Sequence, residues 1–144
     1  MEKADNNDFW VKGPIPASVI PNLYNTNNGT AGANAIFLGI IRSDTVEGNQ
    51  VREIEYSAYR KMAEKTFDEI QKQVCSEHKI VELTILHSIG TVKAGETSML
   101  IFVASKHRAA AFAALRQAVE LIKEKAPVWK KEIYEDETHI WVNA

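Results

Sequence analysis

The chain has 144 residues, of which 45% are hydrophobic and 25% charged, and its formal net charge is −2. This length and composition predict one packed domain spanning residues 1–144 and exclude an intrinsically disordered chain. The nearly balanced charge argues against a protein that binds nucleic acid or anionic membranes over its whole surface, so any anion site must be local.

The first half of the chain predicts strands that flank a polar loop. "FWVKGPIP" is typical of a short edge strand ended by its two prolines, because proline cannot donate to a sheet ladder. "AIFLGIIR" (35–42) predicts a strand buried on both faces that ends at Arg42. After the loop, "VREIEYSAY" places Ile54 and Tyr56 on one face of a further strand.

The middle of the chain predicts an amphipathic helix and two strands. "KIVELTILHSIG" alternates inward and outward residues and places His87 on the inward face, where a hydrogen-bonded core histidine is the simpler interpretation than a ligand or base. "TSMLIFVAS" predicts a buried strand. The helix runs from Tyr59 to about Glu77, and its apolar residues recur at helical spacing at Ala63, Phe67, Ile70 and Val74.

A second helix and a closing hairpin complete the predicted elements. The helix extends from about Lys106 to Lys125, with Ser105 as N-cap and Pro127 as its stop. "EIY", "EDET" and "HIWVNA" predict the hairpin. This order predicts an α+β fold with two main helices packed on a mixed or largely antiparallel sheet. The apolar stripe of the second helix comprises Phe112, Leu115, Val119 and Ile122.

Several kinds of site are not supported by the sequence. The one cysteine, Cys75, allows neither an internal disulfide nor a paired-cysteine motif, which favours the cytoplasm. The polar N-terminus lacks the pattern of a secretory signal, and no apolar segment is long enough to span a membrane. The four histidines are too dispersed for a helical zinc motif, and no phosphate loop of the GxxxxGK type occurs. We therefore expect no metal and no cofactor.

Three cations stand at the start of the second helix, where the positive end of the helix dipole disfavours them. Helix N-termini bind anions through free N–H groups, so Lys106, His107 and Arg108 indicate an anion pocket. Helical geometry also points Arg108 toward the apolar stripe, where a guanidinium needs an anionic partner. An internal salt bridge to a carboxylate such as Glu82 or Glu96 explains the same pattern equally well.

A second basic group, "KEKAPVWKKE", surrounds the end of the same helix. Lys123 lies three turns after Phe112 and borders the apolar stripe. Val128 and Trp129 would anchor the chain beyond the proline, so that Lys130 converges with Lys123. The alternative is an ordinary solvated helix end, in which the lysines satisfy the last carbonyls.

Five segments carry a resemblance to a known family. "FLGIIR", "LHSIGTVKAGE", "VASKHRAAAF", "KEKAPVWKKE" and the terminal "WV" resemble, in order and spacing, the large, catalytic subunit of molybdopterin synthase. The resemblance implies an α/β hammerhead fold with an added antiparallel subdomain. It also implies a heterotetramer in which a central dimer of large subunits binds two small, ubiquitin-like sulfur carriers.

The family's activity and site residues are implied in the same way. The carrier's C-terminal Gly-Gly, activated as a thiocarboxylate, would supply two sulfur atoms to a cyclic pyranopterin monophosphate, forming the dithiolene of molybdopterin. Lys123 and Lys130 correspond to the catalytic lysines. The corresponding substrate-binding residues are Ile40, Ile41, Arg42, His107, Arg108, Lys123, Lys130, Lys131 and Glu132.

Two readings without catalysis remain open. A binding module for a phosphorylated metabolite would need Arg108 but not Lys123, and a scaffold for an acidic partner would associate in a salt-sensitive way. The sequence also departs from the family at Ser88, where an arginine is frequent, and in the loop after Arg42.

Overall fold

The computed structural model describes residues 9–24 and 29–144, whose strands form one eight-stranded sheet. The strands are β1 (Trp10–Lys12), β2 (Ala33–Ile40), β3 (Thr45–Val46), β4 (Asn49–Ala58), β5 (Glu82–Lys93), β6 (Thr97–Ser105), β7 (Val128–Tyr134) and β8 (His139–Asn143). A 3-10 turn (Ala17–Val19) precedes the helices, which are α1 (Ile20–Tyr24), α2 (Arg60–His78) and α3 (Arg108–Lys125). The predicted α+β fold with two main helices is confirmed.

The sheet is largely antiparallel and divides along β5. Its strand order is β2-β6-β5-β4-β7-β8, while β1 pairs with β5 and β3 with β4. The first half of β5, 82–87, pairs with β6, and its second half, 90–93, pairs with β4. The parallel strand β1 lies against β5 at 87–89, so His87 sits where the sheet changes partners.

Both faces of the sheet are covered in the region of β6. Met99, Ile101 and Val103 belong to the main core, which also includes the buried faces of α2 and α3. The alternate residues Leu100 and Phe102 face a smaller cluster that contains Ile15. The prediction of a buried strand here is confirmed, because each residue from Ser98 to Ser105 is buried.

The predicted inner face of α2 is confirmed residue by residue. In α3 Ile122 is confirmed, Leu115 and Val119 pack half-buried against the core, and Phe112 is wrong. The Phe112 side chain is 66% exposed, and small residues face the core instead. The predicted stripe is drawn from the large apolar residues and does not include the alanines. A helix that packs close to a sheet needs small side chains such as alanine at the contact. The buried residues of α3 are Ala111, Ala114, Ala118 and Ile122.

Two other expectations are corrected. The strand β2 is not buried on both faces, because it lies at the end of the strand order and exposes Leu38 and Ile40. Ser105 is not the N-cap of α3. It is the buried last residue of β6. His107 occupies the N-cap position of α3, and its side chain makes no capping hydrogen bond to the helix.

The described ranges bear on the expectations about membrane spans and metal sites. No helix within 9–24 and 29–144 is long and apolar enough to cross a membrane. The same ranges contain no cluster of three or more histidine, cysteine or acidic side chains placed to hold a metal ion. Most of the polar N-terminus, on which the expectation about a secretory signal rests, lies outside the described residues.

Candidate active site

A cavity of about 360 Å³ opens where the end of β2 meets β4, β7 and the C-terminal end of α3. Three cations line it, Arg42, Lys123 and Lys130, together with the carboxylates of Asp44 and Glu132. Its size falls in the range of small-molecule sites, which are concave and mostly apolar with a few convergent polar groups. The cavity therefore has the size and the charge for an anionic organic ligand.

The two lysines converge because the chain turns sharply between them. α3 ends at Lys125, and Ala126 is extended (φ −72°, ψ 128°) as the residue before a proline must be. β7 begins directly afterwards, with Val128 buried as its anchor. The last turn of α3 thus presents Lys123, and β7 presents Lys130, to the same cavity, as the sequence predicts.

Alternation along β7 decides which basic residue reaches the cavity. Lys130 and Glu132 share the cavity face with their cross-strand partners on β4, Tyr56 and Ile54. Lys131 points the other way. Its Nζ lies 3.4 Å from a Glu55 carboxylate oxygen and 5.3 Å from the centre of the Trp141 ring.

The electrostatics of the cavity act most strongly on Lys123. Burial lowers the pKa of its amine, and the positive charges of Lys130 and Arg42 lower this pKa further. Although the Lys123 residue as a whole is exposed, burial of the amine is the largest of these effects. A lysine with a lowered pKa has a larger neutral fraction, which can act as a base or a nucleophile.

The end of β2 supplies the remaining predicted residues of the cavity. Ile41 is buried at 4% exposure, while Ile40 is 48% exposed. The Arg42 guanidinium is 3.1 Å from an Asp44 carboxylate oxygen, and both side chains are largely exposed. This ion pair is accessible to solvent, so an incoming anion can compete with Asp44 for the guanidinium.

Two predicted site residues lie at the far end of α3. His107 and Arg108 are exposed at its N-terminus and do not line the cavity. At 1.5 Å per residue, Arg108 begins the helix about 22 Å from Lys123 along the axis. Within one chain, the cations of the two helix ends therefore do not gather in one cavity.

Sequence reasoning missed part of the cavity wall. The Tyr56 hydroxyl donates a hydrogen bond to Ser98 Oγ at 3.1 Å, and both residues line the cavity with Met99 and His87. Burial raises the pKa of Tyr56, although the bond to Ser98 opposes this shift. The inward parity of Tyr56 and His87 was visible in the sequence, but the pairing that brings β4 and β6 to one wall was not.

The chain is similar to proteins of one family along most of its length. The family model described as "MoaE protein" matches residues 12–125. The chain is 37% identical to the molybdopterin synthase catalytic subunit of Aspergillus niger, with 88% of this chain and 68% of that protein covered. It is 42% identical to the Staphylococcus epidermidis protein of the same name, with 77% and 73% covered.

Relatives of this name differ in length, whereas a solved structure matches the chain almost end to end. The likewise named rice and rat proteins are longer, and the chain spans 54% of each. A crystal structure of molybdopterin synthase from Staphylococcus aureus superposes with a TM-score of 0.85 at 34% identity, covering 96% of this chain and 98% of the other.

Proposed function

Because the chain belongs to the MoaE protein family, we propose that it is the catalytic subunit of molybdopterin synthase. In this reaction two sulfur atoms pass from the thiocarboxylate of a small, ubiquitin-like carrier to a cyclic pyranopterin monophosphate. The observation that carries the proposal is the shared cavity of Arg42, Lys123 and Lys130. The reaction gives the dithiolene of molybdopterin.

The cations match the charge problem of this reaction. The carrier's thiocarboxylate is anionic and the acceptor carries a phosphate, so the two substrates repel each other. Preorganised positive groups in a partly closed cavity offset this repulsion and stabilise negative charge that develops during transfer. Within this scheme Lys130 and Arg42 bind anionic groups, and Glu132 lies beside Lys130 on the same strand face.

Lys123 has the properties of the reacting amine. Its lowered pKa makes a neutral amine available for proton transfer or for a covalent adduct with the carrier's terminal carbonyl. The other cations cannot take this role as readily. Arginine stays protonated in proteins, and Lys130, which lines the cavity from β7, is placed to hold the carrier's C-terminal group.

The remaining parts of the proposal rest on the family resemblance. His107, Arg108 and Lys131 are proposed substrate-binding residues, although none of them lines the cavity of a single chain. A second copy of the chain, as in the proposed central dimer, is the source from which His107 and Arg108 could approach it. The exposed apolar residues Leu38 and Ile40 on the edge strand β2 support self-association. A cytoplasmic location is proposed from the lone cysteine.

The first prediction concerns Lys123→Ala. Purified protein is mixed with thiocarboxylated carrier and the pyranopterin, and the dithiolene product is measured. We expect the variant to lose activity by about 100-fold or more, since a reacting group is removed. Carrier binding, measured separately by calorimetry, should weaken by only a few fold because Lys130 and Arg42 remain.

Lys125→Ala is the matched control, because Lys125 stands in the same last turn of α3 but does not line the cavity. It should convert substrate at the wild-type rate. Full turnover by Lys123→Ala would refute the assignment of this lysine. Binding of the pyranopterin by wild-type protein without any conversion would instead favour a metabolite-binding module.

A further inference from the structure

His87 is a buried imidazole that the proposed reaction does not yet use. It lies in β5, 5% exposed, where the sheet changes partners. Three aromatic rings hold it in place: the centroid of Tyr56 is 5.2 Å away, that of Trp10 is 6.0 Å away, and Phe67 stacks at 6.4 Å. Packing thus fixes the orientation of the ring.

A backbone hydrogen bond fixes its tautomer. Nδ1 of His87 lies 2.8 Å from the carbonyl oxygen of Ser88. A carbonyl only accepts hydrogen bonds, so Nδ1 must carry the proton and donate it. In the neutral ring Nε2 then has a free lone pair and can only accept.

Nε2 is the ring nitrogen of His87 for which the structure gives no hydrogen bond within the described residues. Among the residues the structure describes, only Trp10 Nε1 and Ser88 Oγ are fully buried side-chain polar atoms without a hydrogen-bond partner. No described residue bonds to Nε2 of His87, and this atom is not one of the two fully buried ones. It therefore keeps some accessible surface. His87 lines the cavity, so the cavity is the space from which a ligand would approach Nε2.

His87 is a neutral hydrogen-bond acceptor in a cavity whose other polar side chains are mostly charged. Burial lowers the pKa of His87, and the positive charge of Lys123 lowers this pKa further. The hydrogen bond to the Ser88 carbonyl opposes both effects. The ring is thus neutral at neutral pH. The other polar side chains of the cavity are three cations, two carboxylates and the hydroxyls of Tyr56 and Ser98, which bond to each other.

We propose that Nε2 of His87 accepts a hydrogen bond from an N–H group of the pterin ring and so orients the substrate in the cavity. This inference rests on the proposed function and assigns one end of the ligand. The heterocycle, which carries N–H donors, would lie against the deeply buried imidazole. The phosphate would lie toward Arg42 and the lysines, nearer to solvent.

Two substitutions separate the two ring nitrogens. His87→Gln keeps an acceptor near the position of Nε2, whereas His87→Asn keeps a donor near Nδ1 for the Ser88 carbonyl and removes the acceptor. We expect His87→Asn to weaken equilibrium binding of the pyranopterin by about tenfold, the loss typical of one hydrogen bond, while His87→Gln stays within about threefold of wild type. KM should follow this binding loss, and kcat should change less.

The pH dependence of binding tests the acceptor directly and does not depend on how well His87→Asn folds. Protonation of Nε2 converts it into a donor, so wild-type affinity should fall as the pH drops through a value below 6.5. The titratable groups that face the ring are Lys123 and Tyr56, and Arg42, Asp44, Lys130 and Glu132 share the cavity. His87→Gln retains all of them, so it should lack only the part of the fall due to His87.

The outcomes distinguish this inference from the proposed function. Equal weakening by Asn and Gln, or identical pH profiles for wild type and His87→Gln, would show that the ring acts through packing and would overturn the inference alone. Conversion by wild type with unchanged affinity in His87→Asn would do the same. A wild-type chain that neither binds nor converts the pyranopterin would overturn the proposed function, and this inference with it.

Discussion

Ser88 is buried, yet its hydroxyl makes no hydrogen bond within the described residues. It is completely inaccessible in β5. A buried hydroxyl without a hydrogen bond destabilises the folded state, because it loses its bonds to water. The family resemblance places a frequent arginine at this position, so the serine is a local departure with a measurable cost.

Ser88→Ala should therefore stabilise the protein. We expect a gain of about 1 kcal/mol in the free energy of unfolding, seen as a rise of roughly 2–4 °C in the thermal midpoint. Ser98→Ala is the control, since Ser98 Oγ accepts from Tyr56 and lies 3.4 Å from the Gly39 carbonyl. It should destabilise by about as much. A loss of stability in Ser88→Ala would show that its hydroxyl is bonded.

At the scale of elements, the sequence predicts where helices and strands lie better than which faces are buried. In α2 the large apolar residues recur at helical spacing and are the buried ones. In α3 the same rule selects Phe112, but three alanines face the core. Alanines also lie on the exposed face of α3, at Ala109 and Ala113, so alanine positions alone do not mark the buried face. Which alanines are buried follows from the closeness of α2 and the sheet, which a single sequence does not reveal.

Substitutions on α3 test this corrected face. Ala114→Leu should destabilise by about 1–3 kcal/mol in urea unfolding, because a fully buried site has no room for three further carbon atoms. Phe112→Ala should change stability by no more than about 0.5 kcal/mol, since the ring is mostly exposed. The reverse order of the two effects would show that the predicted stripe, and not the observed one, faces the core.

At the scale of the whole molecule, the cavity combines parts that the sequence predicts with parts that it cannot. The convergence of Lys123 and Lys130 depends on the two residues that join α3 to β7, Ala126 and Pro127. This connection is local and was predicted. The contributions of Tyr56, Ser98 and His87 depend on pairing between distant strands. Strand registers are fixed by packing over the whole sheet, so spacing along the chain does not determine them.

The grouping of cations should also lower the stability of the fold at neutral pH. The folded-state pKa of Lys123 lies below its usual value of 10.5, so the unfolded state binds more protons between these two values. Stability therefore increases as the pH rises through this window, and the protonated amine is a cost below it. Removing the amine removes the cost.

Lys123→Met should accordingly unfold at a higher urea concentration than wild type at pH 7, and the difference should shrink as the pH approaches 10.5. Lys125→Met is the matched control, because it also removes a cation near the negative end of the helix dipole. It should not raise the urea concentration of unfolding. An advantage of Lys123→Met that is absent, or unchanged across this pH range, would contradict the electrostatic explanation.

The opposite orientations of Lys130 and Lys131 on β7 have a consequence for tolerance to error. Sliding β7 by one residue would exchange its two faces, yet an ammonium group would still stand in the cavity. The side-chain chemistry at these two positions is thus redundant and cannot by itself specify the alignment. That task falls to Val128 and Tyr134, both 4% exposed at the two ends of the strand.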